Sequence, residues 1–181
     1  MKITPIIIGL LGIVSLHAGE VMPVKAETIP NPAIDYLAFQ KLVNELGPVR
    51  EKNRLTEAEF IEMASDPNTV VLDARNEVRY QAIHVKGAVN LPFSEFTAAN
   101  LAKIFPNKNT RILIYCNNNF ENDPINLARK TISVSLNVPT FINLHAYGYA
   151  NVYELGPLLD VHKTKISFNK TKDPVIKALA D

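Results

Sequence analysis

At 181 residues the chain is long enough for one domain with a real core, since a domain of about 150 residues buries roughly 68–70% of its unfolded surface. A hydrophobic content of 47% and a charged content of 20% exclude a disordered chain. A formal net charge of +1 excludes a strong electrostatic pull toward nucleic acid or an anionic membrane. One cysteine excludes an internal disulfide, so the fold must hold by packing.

Residues 1–26 read as a signal peptide: Lys2 supplies the positive start, and Ile6 to Leu16 is an apolar run too short for a membrane span. Cleavage after Ala18 or Ala26 fits the small-residue rule, and Val24-Lys25-Ala26 is the better match. The expected location is periplasmic or secreted, with no membrane span once the leader is gone. Losing Lys2, Lys25 and Glu20 from 19 basic and 18 acidic residues leaves 17 of each, a mature charge of zero. A leftover thiol in such a chain is either reactive or paired with a partner.

Residues 27–54 are expected to be a helical extension: Ile34, Leu37, Leu42 and Leu46 follow a helical stripe from Asn31, stopped at Gly47-Pro48. Thr56 and Glu59 make a capping box, with Leu55 stapled onto Phe60, so a helix runs from Glu57 to about Ser65. Thr69 to Leu72, Ala88 to Leu91, Arg111 to Tyr115 and Asn151 to Leu155 are short apolar runs of the kind that strands buried on both faces show. Helical segments at Glu77 to Ile83 and Thr97 to Phe105 alternate with them. That alternation predicts an α/β sandwich with a largely parallel sheet flanked by helices.

Ligands of such sheets bind beyond the carboxyl ends of strands, and Cys116 follows the run Ile112-Leu113-Ile114-Tyr115 at such an end. Loop amides and a helix N-terminus there lower a thiol pKa below its free value of about 8.5 and make a nucleophile. A lone cysteine after an apolar run is equally how a small buried hydrophobe reads, and the asparagines behind it are also ordinary turn formers.

Four segments in order carry a resemblance: Leu72-Asp73-Ala74-Arg75; His84-Val85-Lys86-Gly87-Ala88-Val89-Asn90-Leu91-Pro92; Ile114-Tyr115-Cys116; and Asn151-Val152-Tyr153-Glu154-Leu155. Together they resemble a single rhodanese-like domain over residues 55–160, followed by a tail, 161–181, in which Asp173-Pro174 starts a short helix. The resemblance implies a three-layer α/β fold and a sulfurtransferase that carries sulfane sulfur as a persulfide on Cys116, from a small sulfur donor to a thiol or cyanide-like acceptor. It implies that Asn117, Asn118, Asn119, Phe120 and Glu121 form the active-site loop around the sulfur and that Asp73 and Arg75 brace it. Gly87 falls on a tight turn before the next strand. A partner protein is a further expectation; no cofactor, metal or nucleic acid is.

Two departures from that pattern stand out. The loop carries Glu121 and Asp123 where active members commonly place a basic residue. A carboxylate beside the thiolate disfavours an anionic donor, since like charges at about 4 Å repel by roughly 4 kcal/mol at an effective dielectric of 20. Poor thiosulfate turnover is therefore expected. The second departure is an insertion at about 122–139, in which Ile132-Ser133-Val134-Ser135-Leu136 alternates like a strand or flap, while Thr140 caps a helix from Phe141 to Tyr147. Arg129 and Lys130 are candidate anion-binding residues that restore positive charge.

The alternatives are a catalytically inactive binding module on the same fold and, as a weaker rival, a thiol-dependent phosphatase or arsenate reductase, whose cysteine loops need an arginine for the oxyanion. His84, His145 and His162 lack metal-ligand spacing with one another or with Cys116, so structural or surface roles are expected for them.

Overall fold

The computed structural model describes residue 29 and residues 31–170. The leader and the closing helix expected at Asp173-Pro174 lie outside the described residues. Helix α1 (Tyr36–Lys52) begins later than Asn31 because Asp35 caps it, accepting from the Ala38 N–H at 2.8 Å. It also runs through Gly47-Pro48 instead of stopping there. A proline removes one helical hydrogen bond, but the last turn is anchored from outside: Arg50 reaches Glu154, and the Asn53 amide donates to the Val152 carbonyl at 2.9 Å.

The two-residue strand β1 (Arg54–Leu55) leads to α2 (Glu57–Ala64), whose capping box of Thr56 and Glu59 is complete. Leu55 and Phe60 pack in one apolar cluster, as a staple requires. Next come β2 (Thr69–Asp73), α3 (Glu77–Ala82), β3 (Ile83–Val85) and β4 (Val89–Asn90). Gly87, at φ 85°, makes the turn between the last two, in a region that costs other residues a Cβ clash. Thr97 caps α4 (Ala98–Ile104), and β5 (Arg111–Tyr115) then runs into a turn at Asn117–Asn119. The chain closes with β6 (Phe120–Glu121), α5 (Asn137–Ala146), β7 (Val152–Leu155), β8 (Leu159–Asp160) and β9 (Phe168–Lys170).

The α/β architecture is as expected. Five strands in the order β1-β7-β5-β2-β4 pair in parallel throughout. Side chains alternate between two cores: Val71, Leu113 and Tyr115 face one, with Phe60 of α2, while Leu72, Ile112 and Ile114 face the other, with Leu101 of α4 and Phe141 and Leu144 of α5. Each such fully buried side chain contributes about 1.5–3 kcal/mol. Two small pairs lie outside this sheet, β3 with β9 antiparallel and β6 with β8 parallel.

Two expectations about the insertion fail. Residues 122–139 form no added strand; Ile132–Val134 is a single 3-10 turn, with Ile132 and Val134 turned to solvent. A strand needs a backbone partner, and this segment is held by side chains instead. The Asn117 and Asn118 amides donate to the carbonyls of Ala128 and Lys130 at 2.7 and 2.8 Å. Helix α5 also starts at Asn137, so Thr140 is a buried residue of its first turn, not a cap. Pro139 is tolerated there because the first-turn N–H groups have no helical partner to lose.

Candidate functional site

In strand order the chain moves one way after β2, toward β4, and the other way after β5, toward β7. The loops leaving β2 and β5 therefore diverge and open a crevice at the carboxyl ends of those strands. Cys116 sits at that point, one residue past β5 and 2% exposed.

The site is braced from the β2 side. Asp73 ends β2 fully buried and receives the Arg75 guanidinium through Nε at 2.9 Å and Nη2 at 2.5 Å. Arg75 also donates to the Ile83 carbonyl at 2.5 Å and, through Nη1, to the Asn117 side chain at 3.0 Å. The Tyr115 hydroxyl donates to Asp73 at 2.5 Å and accepts from the Val85 N–H at 3.0 Å. Burial, aided by the Asp73 carboxylate, holds that phenol well above its ordinary value, so it stays a donor. Arg75 thus clamps Asn117, the residue after Cys116, while Asp73 acts on the loop through Arg75 and Tyr115.

Each asparagine in the loop is a fastener. Asn117 joins Arg75 to Ala128. Asn118 binds both the carbonyl and the N–H of Lys130, at 2.8 and 3.0 Å. Asn119 is buried, and its oxygen accepts from the Cys116 N–H and from the Asn137 amide, both at 2.9 Å, while its own amide donates to the Leu155 carbonyl at 2.6 Å. One side chain therefore ties the end of β5 to the start of α5 and the end of β7.

The sulfur cradle differs from the expected contiguous loop. The N–H groups facing Sγ come from Asn118 and Asn119 on one side and from Leu136 and Asn137, at the N-terminus of α5, on the other. Phe120 and Glu121 are not part of it, because the chain has already turned into β6. Phe120 is fully buried against Tyr115 and Phe168, and Glu121 pairs with Asp160 of β8 and lines neither cleft at the sulfur. The carboxylate that acts on the sulfur is Glu154 of β7. It is 3% exposed, beside Ile114 in the register, and bound by Arg50 of α1 through Nε and Nη2 at 2.7 and 2.6 Å.

The thiol pKa also moves opposite to the expected direction. Burial pushes Cys116 above its ordinary value and Glu154 adds to this, while the N–H groups of Asn137, Asn118 and Leu136 pull the other way and do not prevail. Burial thus favours the neutral thiol although backbone donors face it.

Cys116 borders two clefts. The first, of about 390 Å³, has Pro92, Phe93 and Leu136 as apolar walls and Arg75, Arg79 and Lys130 as cations, with no carboxylate in its lining. The second, of about 550 Å³, is lined by Arg50, Arg54, Arg129 and Lys130 together with Glu154. Arg129 and Lys130 therefore both face the sulfur's surroundings, Lys130 from both clefts. His84 stacks on Tyr80 at 3.9 Å with Nδ1 held 2.7 Å from the Tyr80 carbonyl. His145 packs at a tilt against Phe141, and His162 lies beside the Asn122 carbonyl. No group of His, Cys, Asp or Glu that could hold a metal occurs among the described residues.

Glu154, Arg50 and Asn137 were missed in the sequence reading. A signal for the first existed: an acidic residue within an apolar strand is not left unpaired in a core, so Glu154 called for a basic partner.

A parallel-sheet α/β domain with one cysteine in an amide cradle at a strand end is the class that fold and site define. The model of the rhodanese-like domain family matches residues 56–156, and the chain belongs to that family. Among solved structures it is similar to the rhodanese-like domain of a protein from Anabaena, at 16% identity over 68% of this chain and 85% of that one, with a TM-score of 0.48. It is similar to a rhodanese with anions from E. coli, at 22% identity over 57% and 99% of the two chains, TM-score 0.37. It is also similar to a thiosulfate sulfurtransferase from Pseudomonas aeruginosa, at 22% identity over 66% of this chain and 20% of that one, TM-score 0.40.

Proposed function

We propose that this protein is an exported sulfurtransferase that moves sulfane sulfur through a persulfide on Cys116 to a thiol or cyanide-like acceptor. The observation that carries the reading is the position of the sulfur: at a strand end, faced by four backbone N–H groups and bordering two clefts. Cys116 gives up its proton to water, the thiolate attacks the outer sulfur of a donor, the donor's S–S bond breaks, and its electron pair leaves with the remaining fragment. In thiosulfate that fragment is sulfite. The N–H groups receive the negative charge the sulfur carries before and after the step. Glu154 takes the place of Glu121 as the carboxylate that acts on the sulfur, and its pairing with Arg50 offsets its charge toward anionic reactants.

The burial of Cys116 and its upward-shifted thiol favour a second reading, a binding module that keeps the fold without turnover. One assay separates the two. The protein is incubated with thiosulfate, polysulfide and a trisulfide, and the mass of the Cys116 peptide is read: one added sulfur from any donor supports the enzyme, and an unmodified thiol with all three supports the module. Export rests on the leader pattern at 1–26 and is tested by sequencing the N-terminus of protein recovered outside the cytoplasm; a chain still beginning at Met1 would refute removal of the leader.

A further inference from the structure

The second cleft at Cys116 is built from two places. Arg50 and Arg54 come from α1 and β1, before residue 56, where the family match begins. Arg129 and Lys130 come from the segment between β6 and α5. Arg50 is committed to Glu154, and Arg54 binds Glu51 at 3.1 Å and the Gly156 carbonyl at 3.0 Å. The side chains of Arg129 and Lys130 have no hydrogen-bond or ion-pair partner among the described residues. Four cations thus face two carboxylates, Glu154 and Glu51, and the cleft keeps an excess of positive charge beside the sulfur. The first cleft is smaller and walled by Pro92, Phe93 and Leu136, and of its cations Arg75 is bound to Asp73 and Arg79 to the Ile125 carbonyl, so it fits a compact donor.

We infer that the two clefts serve the two halves of the transfer, and that the second is a binding site for an acceptor thiol carrying carboxylates, held by Arg54 and Arg129 with its sulfur directed at Cys116. This rests on the sulfurtransferase reading and names the acceptor class of the same site. The step balances as an exchange: the acceptor thiolate attacks the outer sulfur of Cys116–S–SH, the S–S bond breaks, its electron pair returns to Cys116 Sγ, and the acceptor leaves as R–S–SH. Donor and acceptor then never compete for one entrance, and the bulkier acceptor uses the larger one.

The test has two independent arms. In the first, Cys116 is loaded with polysulfide, and its discharge by mercaptosuccinate, 2-mercaptoethanol and cysteamine is followed by mass, each rate expressed per thiolate. Mercaptosuccinate is expected to be fastest by about tenfold at low salt, with the advantage shrinking as salt screens it. In the double variant Arg54→Gln/Arg129→Gln the ratio of mercaptosuccinate to 2-mercaptoethanol should fall by about three- to tenfold, as removal of exposed charge pairs predicts. Equal rates for all three thiols, or a ratio untouched by the variant, would overturn the site.

In the second arm (methylthio)succinate, which takes no sulfur, is titrated into the unloaded protein and amide shifts are recorded. Shifts at Arg54, Asn118 and Asn137 that vanish in the double variant support the site. Shifts confined to Arg75, Arg79 and Phe93, or none, refute it. Binding here without any persulfide in the loading assay would remove the sulfurtransferase reading and leave the anionic-ligand site standing.

Discussion

Replacing Arg50 by methionine tests whether α1 is part of the site. The Arg50 side chain is 22% exposed and that of Glu154 is 4% exposed, and two hydrogen bonds of 2.6 and 2.7 Å join them. Removing one partner of a buried pair costs about 3–5 kcal/mol because the other charge is stranded, and the partly wet arginine end puts this case near 3. For a domain of this size that is a loss of about 6–12 °C in Tm. Urea melts of the parent and Arg50→Met read this directly, and adding Glu154→Gln should restore at least half of the loss. An Arg50→Met protein within about 0.5 kcal/mol of the parent would show that the pair is a surface contact.

Asn119→Ala removes the acceptor of the Cys116 and Asn137 N–H groups and the donor to Leu155; a loss of about 2–3 kcal/mol is expected in denaturant melts for stranding such buried groups, and a loss below about 1 would argue against the fastener role. Arg75→Lys keeps the charge and loses the fork that spans Asp73, Ile83 and Asn117. It should destabilise by about 2–4 kcal/mol and speed alkylation of Cys116 by loosening the loop, and an unchanged alkylation rate would refute the clamp. The rate of iodoacetamide reaction at Cys116 should still be climbing above pH about 8.5, because burial raises the thiol; a plateau reached by about pH 6 would mean that the amide cradle prevails over burial.

The sheet and the position of the cysteine were legible because they are written in local pattern. Val70 to Leu72 and Ile112 to Ile114 are apolar on both faces, and only strands covered by helices on both sides have that use for them. Thr56 and Glu59, and Gly87, each announce one backbone geometry. What failed depends on pairing at a distance. Pro48 reads locally as a stop, and the contacts of Arg50 and Asn53 to a strand about a hundred residues later keep the last turn of α1 in place. Ile132 to Leu136 alternates like a strand, yet strand formation needs a backbone partner, and the loop asparagines already hold that part of the chain. Glu121 reads as a site carboxylate because it is near Cys116 in sequence, whereas Glu154 is near it in space through the pairing of β5 with β7.

The inserted segment and α1 meet at one place, and this bears on how the sulfur is controlled. Half of the N–H groups at Sγ follow β5 directly, and half arrive only when α5 docks, after the inserted segment. That docking is set by Asn119 to Asn137 and by the hold of Asn117 and Asn118 on residues 128 and 130. The segment therefore sets both the donors that stabilise charge on the sulfur and the cations at its second opening. α1 acts on the same sulfur through Glu154, whose charge Arg50 compensates. A cysteine whose cradle is split between two elements loses half of its charge-stabilising donors when one of them shifts, whereas a contiguous loop would keep them all. Burial favours the neutral thiol, so displacing the segment between β6 and α5 would change access to the sulfur and its ionisation together.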